Sequence, residues 1–527
     1  MSSHLNIANF SEPRRAGRAP VSGAPGRTVV VSERLPIVLT RDEGTGEEAS
    51  RWRAMPARGA LSSALPPVLR DRRGVWIGWP GVTVEELPGI RRVLGGAIQE
   101  GGYTLRPVPL TARDRKGGAG FCGEVLWPLF HGQPAECNFD RSLWQDFRRV
   151  NRKYARAVAK TVARSGGSDL VWVQDYPLIN VALEMRHLGV KAPTAFFLHL
   201  PFPSPDLFLM LPWRDRLLSA LLAYDRIGFQ TTTDLANFLA CVRTLAPWAY
   251  LNRAAEGLWS VRVDGAAGPG SPEDAPVASE TKAGVFPIGI DFKQVSEEAA
   301  RPEVLARAAE LRAAHDGRRL LLGIDRLDRS KGIAEKLRAF SEALTRHPEL
   351  HETVSLVQVV VPGQDDLPRH AAMRAEIERQ VGEINGRFGT LGWTPVHYVH
   401  RWLEPEEVLA WYRAADVLLV TPLRAGMELV AKEYCAARVD GDGALVLSEF
   451  AGAAAQLAGG ALLVNPYNRE AMVRSIHRAL RMKPQERAVR MRSLRAEVER
   501  RDVFWWADGF LAAALGEHRD AALRNYV

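Results

Sequence analysis

Three stretches of this 527-residue chain hold residues whose types and spacing could do chemistry. In 322-LGIDRLDRSKGIAEK-336 an apolar run passes through a loop into a helical pattern. Arg326 and Lys331 fall in that loop, just before a helix expected to begin at Gly332. Free backbone N–H groups and the positive end of a helix dipole favour an anion there. Arg offers a planar fork and Lys a compact charge, a pair suited to a diphosphate leaving group. Spacing alone leaves ordinary surface charge open as the other reading. In 421-TPLRAGMELVAKEY-434 a strand end again meets a helix start, and Gly426 lets backbone approach a ligand closely. The helix amides would hold phosphate while Glu433, about two turns inside with Lys432 beside it, accepts from sugar hydroxyls; a buried acid paired to a neighbour is the alternative. The third stretch is the pair 172-WVQDYPL-178 and 196-FFLHLPFPSPD-206, where Asp175 and His199 each end an apolar run. Pro201, Pro203 and Pro205 stop the second run sharply.

The elements that must position these residues alternate along the chain. Short apolar runs (28-TVVVS-32, 170-LVWVQ-174, 194-TAFFLH-199, 319-RLLLGI-324, 355-SLVQVVV-361, 416-DVLLV-420) are separated by periodic segments such as 332-GIAEKLRAFSEALTRH-347 and 405-PEEVLAWYRAAD-416. A parallel crossover needs a helix-length connection, so this alternation predicts an α/β protein of doubly wound parallel sheets. Ligands of such sheets sit beyond the carboxyl ends of the strands. Residues 261–284 are rich in Gly, Pro, Ala and Ser and read as a surface hairpin or loop, after which 285-VFPIGID-291 opens a new series. The expected organisation is a disordered basic tail over 1–27, a lobe over 28–288, a second lobe over 289–483, and a helical segment over 484–527 packing back on the first lobe. In that segment Trp505, Trp506 and Phe510 are docking residues rather than a ligand box.

Composition narrows the class. Hydrophobic residues make up 46% and charged residues 25%, and no apolar run reaches the roughly 18 residues of a membrane helix. The net charge of +8 is spread along the chain, which reads as a solvated basic surface with phosphate sites, not a nucleic-acid interface. Cys122, Cys137, Cys241 and Cys435 form no C-x-x-C pair and read as free thiols of a cytoplasmic protein, without a zinc site. The N-terminal arginines are followed by no apolar core, so no secretory signal is expected.

Taken in order, the motifs resemble the trehalose-6-phosphate synthase family: 29-VVVSERLP-36, 76-WIGWPG-81, 124-EVLWPLFH-131, 171-VWVQDY-176, 196-FFLHLPFPSPD-206, 224-YDRIGFQT-231, 285-VFPIGID-291, 325-DRLDRSKG-332, 383-EINGRFGTLGWTPVHY-398, 429-LVAKEY-434, 447-LSEFAGAA-454 and 464-VNPYN-468. The likeness runs from about residue 28 to 510. It implies the two-lobed GT-B glycosyltransferase fold and transfer of glucose from a nucleotide diphosphate sugar to a sugar phosphate, with retention and without a bound metal or other cofactor. The resemblance implies Arg326, Lys331, Asp175 and His199 as catalytic residues. Donor contacts would come from Gly59, His199, Arg326, Lys331, Leu403, Gly426, Met427, Leu429, Val430 and Glu433. Acceptor contacts would come from Arg34, Trp79, Trp127, Asp175 and the Gln364 position. A role in trehalose biosynthesis and osmoprotection follows from the same likeness, with a homo-oligomer as the possible assembly. No phosphatase-like domain is expected after residue 510, so a separate phosphatase would act on the product.

The sequence departs from the family at both substrate sites. The acid expected before Gly-Met is Ala425, and the following Asn is Glu428. A Tyr expected before Phe121 falls in 117-GGAG-120, so Gly117 or Gly118 stands in its place. An expected Arg is Gln364, a His is Pro177, a Tyr is Arg329, and a donor-loop Gly-Gly reads 59-GA-60. Arg329 is one candidate for the missing positive charge, and Glu428 one for the missing acid. Three readings follow: a trehalose-6-phosphate synthase; a relative with a changed acceptor, such as a glucosylglycerol-phosphate synthase, favoured by 107-PVPLTA-112 and 211-LPWRD-215; or a nucleotide-sugar-binding regulator with weak catalysis.

Overall fold

The computed structural model describes residues 27–41, 52–57, 60–84, 86–87, 90, 93–94, 102–163, 169–254, 257–263, 279–362 and 368–516. Three sequence readings lie outside the described residues: the basic tail before residue 27, and the roles given to Gly59 and Gln364.

Valine-rich runs buried on both faces build parallel strands, because each face is covered by helices. In the first lobe these are β1 (Thr28–Arg34), β4 (Val75–Trp79), β5 (Thr104–Pro107), β6 (Leu170–Gln174), β7 (Thr194–Phe197), β8 (Arg226–Phe229) and β11 (Ser279–Val285). Their order among the described residues is β5-β4-β1-β6-β7-β8-β11, all parallel. The antiparallel strands β10 (Trp259–Val263) and β9 (Ala249–Arg253) extend that edge. The Gly/Pro-rich segment thus joins two antiparallel partners, β10 and β11. A separate two-stranded ribbon pairs β2 (Ile37–Arg41) with β3 (Trp52–Pro56).

The second lobe repeats the plan with β12 (Arg319–Arg326), β13 (Val354–Val361), β14 (Val396–His400), β15 (Val417–Val420), β16 (Ala444–Ser448) and β17 (Leu462–Val464), ordered β14-β13-β12-β15-β16-β17. The sequence order reverses between β12 and β15, as it does between β1 and β6 in the first lobe. A crevice opens where successive crossovers diverge, so each reversal marks a binding position. The helix Ile333–Arg346 shows how these crossovers seat: Ile333, Leu337, Phe340 and Leu344 recur at helical spacing and bury one stripe on the sheet.

The described part of the 484–527 segment, residues 484–516, divides. Its helix Pro484–Arg500 packs on the second lobe, against Leu429–Ala437 and β16. After a break at Asp502, which caps the next helix, Val503–Leu515 alone returns to the first lobe. There Phe510 stacks on Trp172 at 5.1 Å and meets Phe286 edge-on, and Trp506 packs on Phe197. The connection between lobes is gripped from both sides: the Ile288 N–H donates to Gln230 Oε1 at 3.0 Å, and its carbonyl accepts from buried Lys432 Nζ at 2.6 Å. Among the described residues no helix is long and apolar enough to cross a membrane.

Candidate active site

Arg326 is the last residue of β12, and Lys331 closes the 3-10 turn Arg329–Lys331 that follows. Buried Asp325 anchors the strand end by accepting from Lys336 Nζ at 2.6 Å and Gln358 Nε2 at 2.9 Å. Asp328 shapes the turn by accepting from the Ser330 N–H and hydroxyl at 2.8 and 2.7 Å. Burial alone would raise its pKa, but Arg326, His131, Ser330 and Lys331 hold it below the usual carboxylate range. The neighbouring loop after β15 is tied to this turn by Leu423 N–H donating to Ser330 O at 2.7 Å. It ends at Glu428, with φ +74°, where the helix Leu429–Ala437 begins. Lys331 Nζ donates to Glu428 Oε1. Glu433 therefore stands one turn into the helix, not two, and accepts from the Tyr412 hydroxyl at 3.1 Å. Burial pushes its carboxyl up, and the charge of Glu428 pushes it further.

The first lobe offers its own strand ends. Arg34 ends β1 past a bulge, beside Trp79 at the end of β4. The Trp79 ring carries two guanidiniums, Arg34 at 4.9 Å and Arg115 at 5.6 Å, and its Nε1 donates to Val82 O at 2.7 Å. Asp175 follows β6 at φ +69° and accepts from the His199 N–H at 3.1 Å. Burial lifts its pKa to about 7, against the pull of the Tyr176 and His199 amides and of Arg326. Gln230 has its Oε1 committed to Ile288, so its amide N–H faces His199 Nδ1 at 3.4 Å. That leaves the proton on His199 Nε2, donated to Gln174 Oε1 at 3.0 Å. Burial holds this imidazole neutral, with a pKa near 3. His199 is thus built as a positioned neutral hydrogen-bonding group and not as a proton acceptor.

The two lobes meet at these residues. A π-helical turn, Cys122–Leu126, presents Trp127, a kind of irregularity concentrated at functional sites. Arg326 from the second lobe lies over the Trp127 ring at 5.0 Å, and Tyr176 and His131 flank the same ring. Arg424 Nη2 donates to Phe202 O at 3.0 Å. Gly426 comes so close that a Cβ there would lie 1.9 Å from the His199 carbonyl oxygen. The cleft therefore has a cationic pair, Arg326 and Lys331, near a wall of Trp127, Tyr176, Asp175 and His199. Among the described residues the one group of three potential metal ligands is His347, Glu349 and His477, at the far end of the helix that starts here.

The structure brings Arg326, Lys331, Asp175, His199, Trp127, Gly426 and Glu433 to one cleft. Leu429 and Val430 form its helix start, half-buried. Met427 is core, 5% exposed, with its carbonyl occupied by the Ala453 N–H at 2.8 Å. Leu403 is buried in the loop after β14. Arg329 pairs with Glu136 at 3.4 Å. The 117-GGAG-120 run lies in the helix Ala112–Phe121, and a Cβ on Gly117 would strike Asp146 at 2.1 Å, so tight helix contact explains glycine there. Arg115 escaped the sequence reading. The signal was the 111-TARD-114 capping box, which fixes the helix start and so the direction of the residue just after it.

Residues 26–515 match the model of glycosyltransferase family 20. The chain is 41% identical over 514 residues to the trehalose-6-phosphate synthase of Mycolicibacterium smegmatis, covering 96% of each chain. It is 41% identical over 498 residues to that of Mycobacterium leprae, covering 94% of this chain and 95% of the relative. An α,α-trehalose-phosphate synthase (UDP-forming) from Burkholderia xenovorans, solved in complex with glucose-6-phosphate, is similar at a TM-score of 0.80 and 32% identity, over 93% of this chain and 100% of that one. An E. coli protein bound with UDP-2-fluoro glucose is similar at a TM-score of 0.79 and 32% identity, over 93% and 99%.

Proposed function

The chain belongs to glycosyltransferase family 20, and from that premise we propose that it is a retaining glucosyltransferase that makes trehalose 6-phosphate. The donor is a nucleoside diphosphate glucose and the acceptor is glucose 6-phosphate. The observation that carries this reading is Arg326 stacked on Trp127 across the cleft, which joins the anion site of one lobe to the acceptor wall of the other.

As the bond from glucose C1 to the diphosphate breaks, charge gathers on the leaving oxygens. Arg326 and Lys331 stand ready to stabilise it, and the first amides of Leu429–Ala437 add N–H donors. The acceptor hydroxyl forms the new bond to C1 on the same face and gives its proton to a departing phosphate oxygen. No side chain need attack, and no metal is required. Glu433 is suited to the ribose and the Leu403 backbone to the base, while His199, with its ring nitrogens engaged by Gln174 and Gln230, lines the glucose side of the cleft. Asp175 orients the acceptor hydroxyl, and the guanidiniums of Arg34 and Arg115 over Trp79 suit its phosphate. Four free cysteines favour a cytoplasmic setting, and a separate phosphatase would remove the product phosphate.

The test is to offer the purified chain UDP-, GDP- and ADP-glucose with either glucose 6-phosphate or glycerol 3-phosphate. Trehalose 6-phosphate with an α,α linkage is the expected product. Turnover with glycerol 3-phosphate alone would overturn the acceptor assignment. Donor binding without transfer to either acceptor would overturn the enzyme reading.

A further inference from the structure

Lys331 is already engaged: its Nζ donates to Glu428 Oε1. The partners are 97 residues apart and meet because β12 and β15 are neighbours where the strand order reverses. Their side chains are 16% and 7% exposed, so solvent and salt screen the pair weakly. Glu428 also holds φ +74°, a conformation that suits Gly or Asn better than a longer side chain. The contact with Lys331 therefore comes from a side chain on strained backbone, where the surrounding loop must hold the conformation. The loop is tied on the Lys331 side by the Leu423 N–H bonded to Ser330 O, and Gly426 abuts His199 O on the other.

We propose that Glu428 is a built-in competitor for the donor diphosphate: its carboxylate sits on the cation the diphosphate needs. The donor must displace Glu428 from Lys331, and two like-charged groups cannot share that cation at full strength. The same competition acts on the product side, since Glu428 returns to Lys331 as the nucleoside diphosphate leaves. Glu428 thereby lowers affinity for donor and product together and favours release. This rests on the reading of Lys331 as part of the donor site.

Calorimetric titration of the full chain with UDP, ADP, GDP and inorganic pyrophosphate tests it, using the wild type, Glu428→Gln, Glu428→Asn and Lys331→Ala. Glu428→Gln is expected to bind the preferred nucleoside diphosphate and pyrophosphate about tenfold more tightly. Glu428→Asn, which is also easier at positive φ, is expected to do the same and serves if the Gln variant folds poorly. In a Lys331→Ala background the gain is expected to vanish. Equal or weaker binding by both Glu428 variants, with wild-type binding intact, overturns the proposal alone. If neither wild type nor variants bind any of the four probes, the donor-site reading falls with it.

Discussion

Gly426→Ala tests whether backbone contact between the lobes is part of the catalytic geometry. The added Cβ would stand 1.9 Å from the His199 carbonyl oxygen, with His199 C and Leu200 C behind it. All three are main-chain atoms, so no rotamer change relieves the clash. Real Cβ contacts do not fall below 3.0 Å, so the loops must part by about 1 Å, a displacement worth roughly 10²-fold in rate when it separates reacting groups. That is about 2.7 kcal/mol of activation free energy. The parting can be taken up between the lobes without opening either core, so stability is expected to change by less than about 1 kcal/mol. Initial rates of nucleoside diphosphate release, with thermal melts alongside, read both quantities. Gly386→Ala is the control: its Cβ would meet nothing within 4 Å in the helix Pro368–Phe388, so activity stays and stability rises by up to about 1 kcal/mol. A Gly426→Ala variant that turns over within about threefold of wild type would refute the reasoning, because the contact would then be incidental to catalysis. An unfolded variant would refute it too, by placing the contact in folding.

Three further outcomes are expected. Arg326→Ala should lower kcat/KM by at least about 10²-fold while costing stability less than about 1 kcal/mol, since its stack on Trp127 is a single cation–π contact; melts that collapse with activity would make Arg326 structural. Arg115→Ala should raise KM for the sugar phosphate about tenfold and leave donor affinity alone, and an unchanged acceptor KM would remove Arg115 from the phosphate site. Asp175, buried to a pKa of about 7, is best accommodated protonated: that contribution is complete below about pH 4 and is lost as pH rises through 7. Asp175→Asn should therefore gain stability over wild type as pH climbs from about 4 to 8, by an amount on the order of 2 kcal/mol, while losing about tenfold or more in kcat. A stability difference that stays flat with pH would show that Asp175 is not desolvated in solution.

The alternation of buried strands and amphipathic crossovers was legible in the chain itself, because backbone geometry imposes its period on side chains within a few residues. So were Arg326, Lys331, Glu433, Asp175 and His199 as strand-end or helix-start groups. Their partners were not. Glu428 on Lys331, Arg326 on Trp127 and Arg115 over Trp79 join residues that are 97, 199 and 36 positions apart. Those meetings depend on which strands become neighbours and on how the lobes close. The same holds for His199: its residue type marked a polar strand end, but its tautomer follows from Gln230 being held by Ile288 between the lobes. Arg329, a candidate cation by its position, pairs with Glu136, a residue 193 positions away that only the meeting of the lobes brings near. Local chemistry thus marked which polar side chains stand at strand ends and helix starts around the cleft. Tertiary contact decided their charge, their partners and their orientation, since each of these is a property of two surfaces and not of one segment.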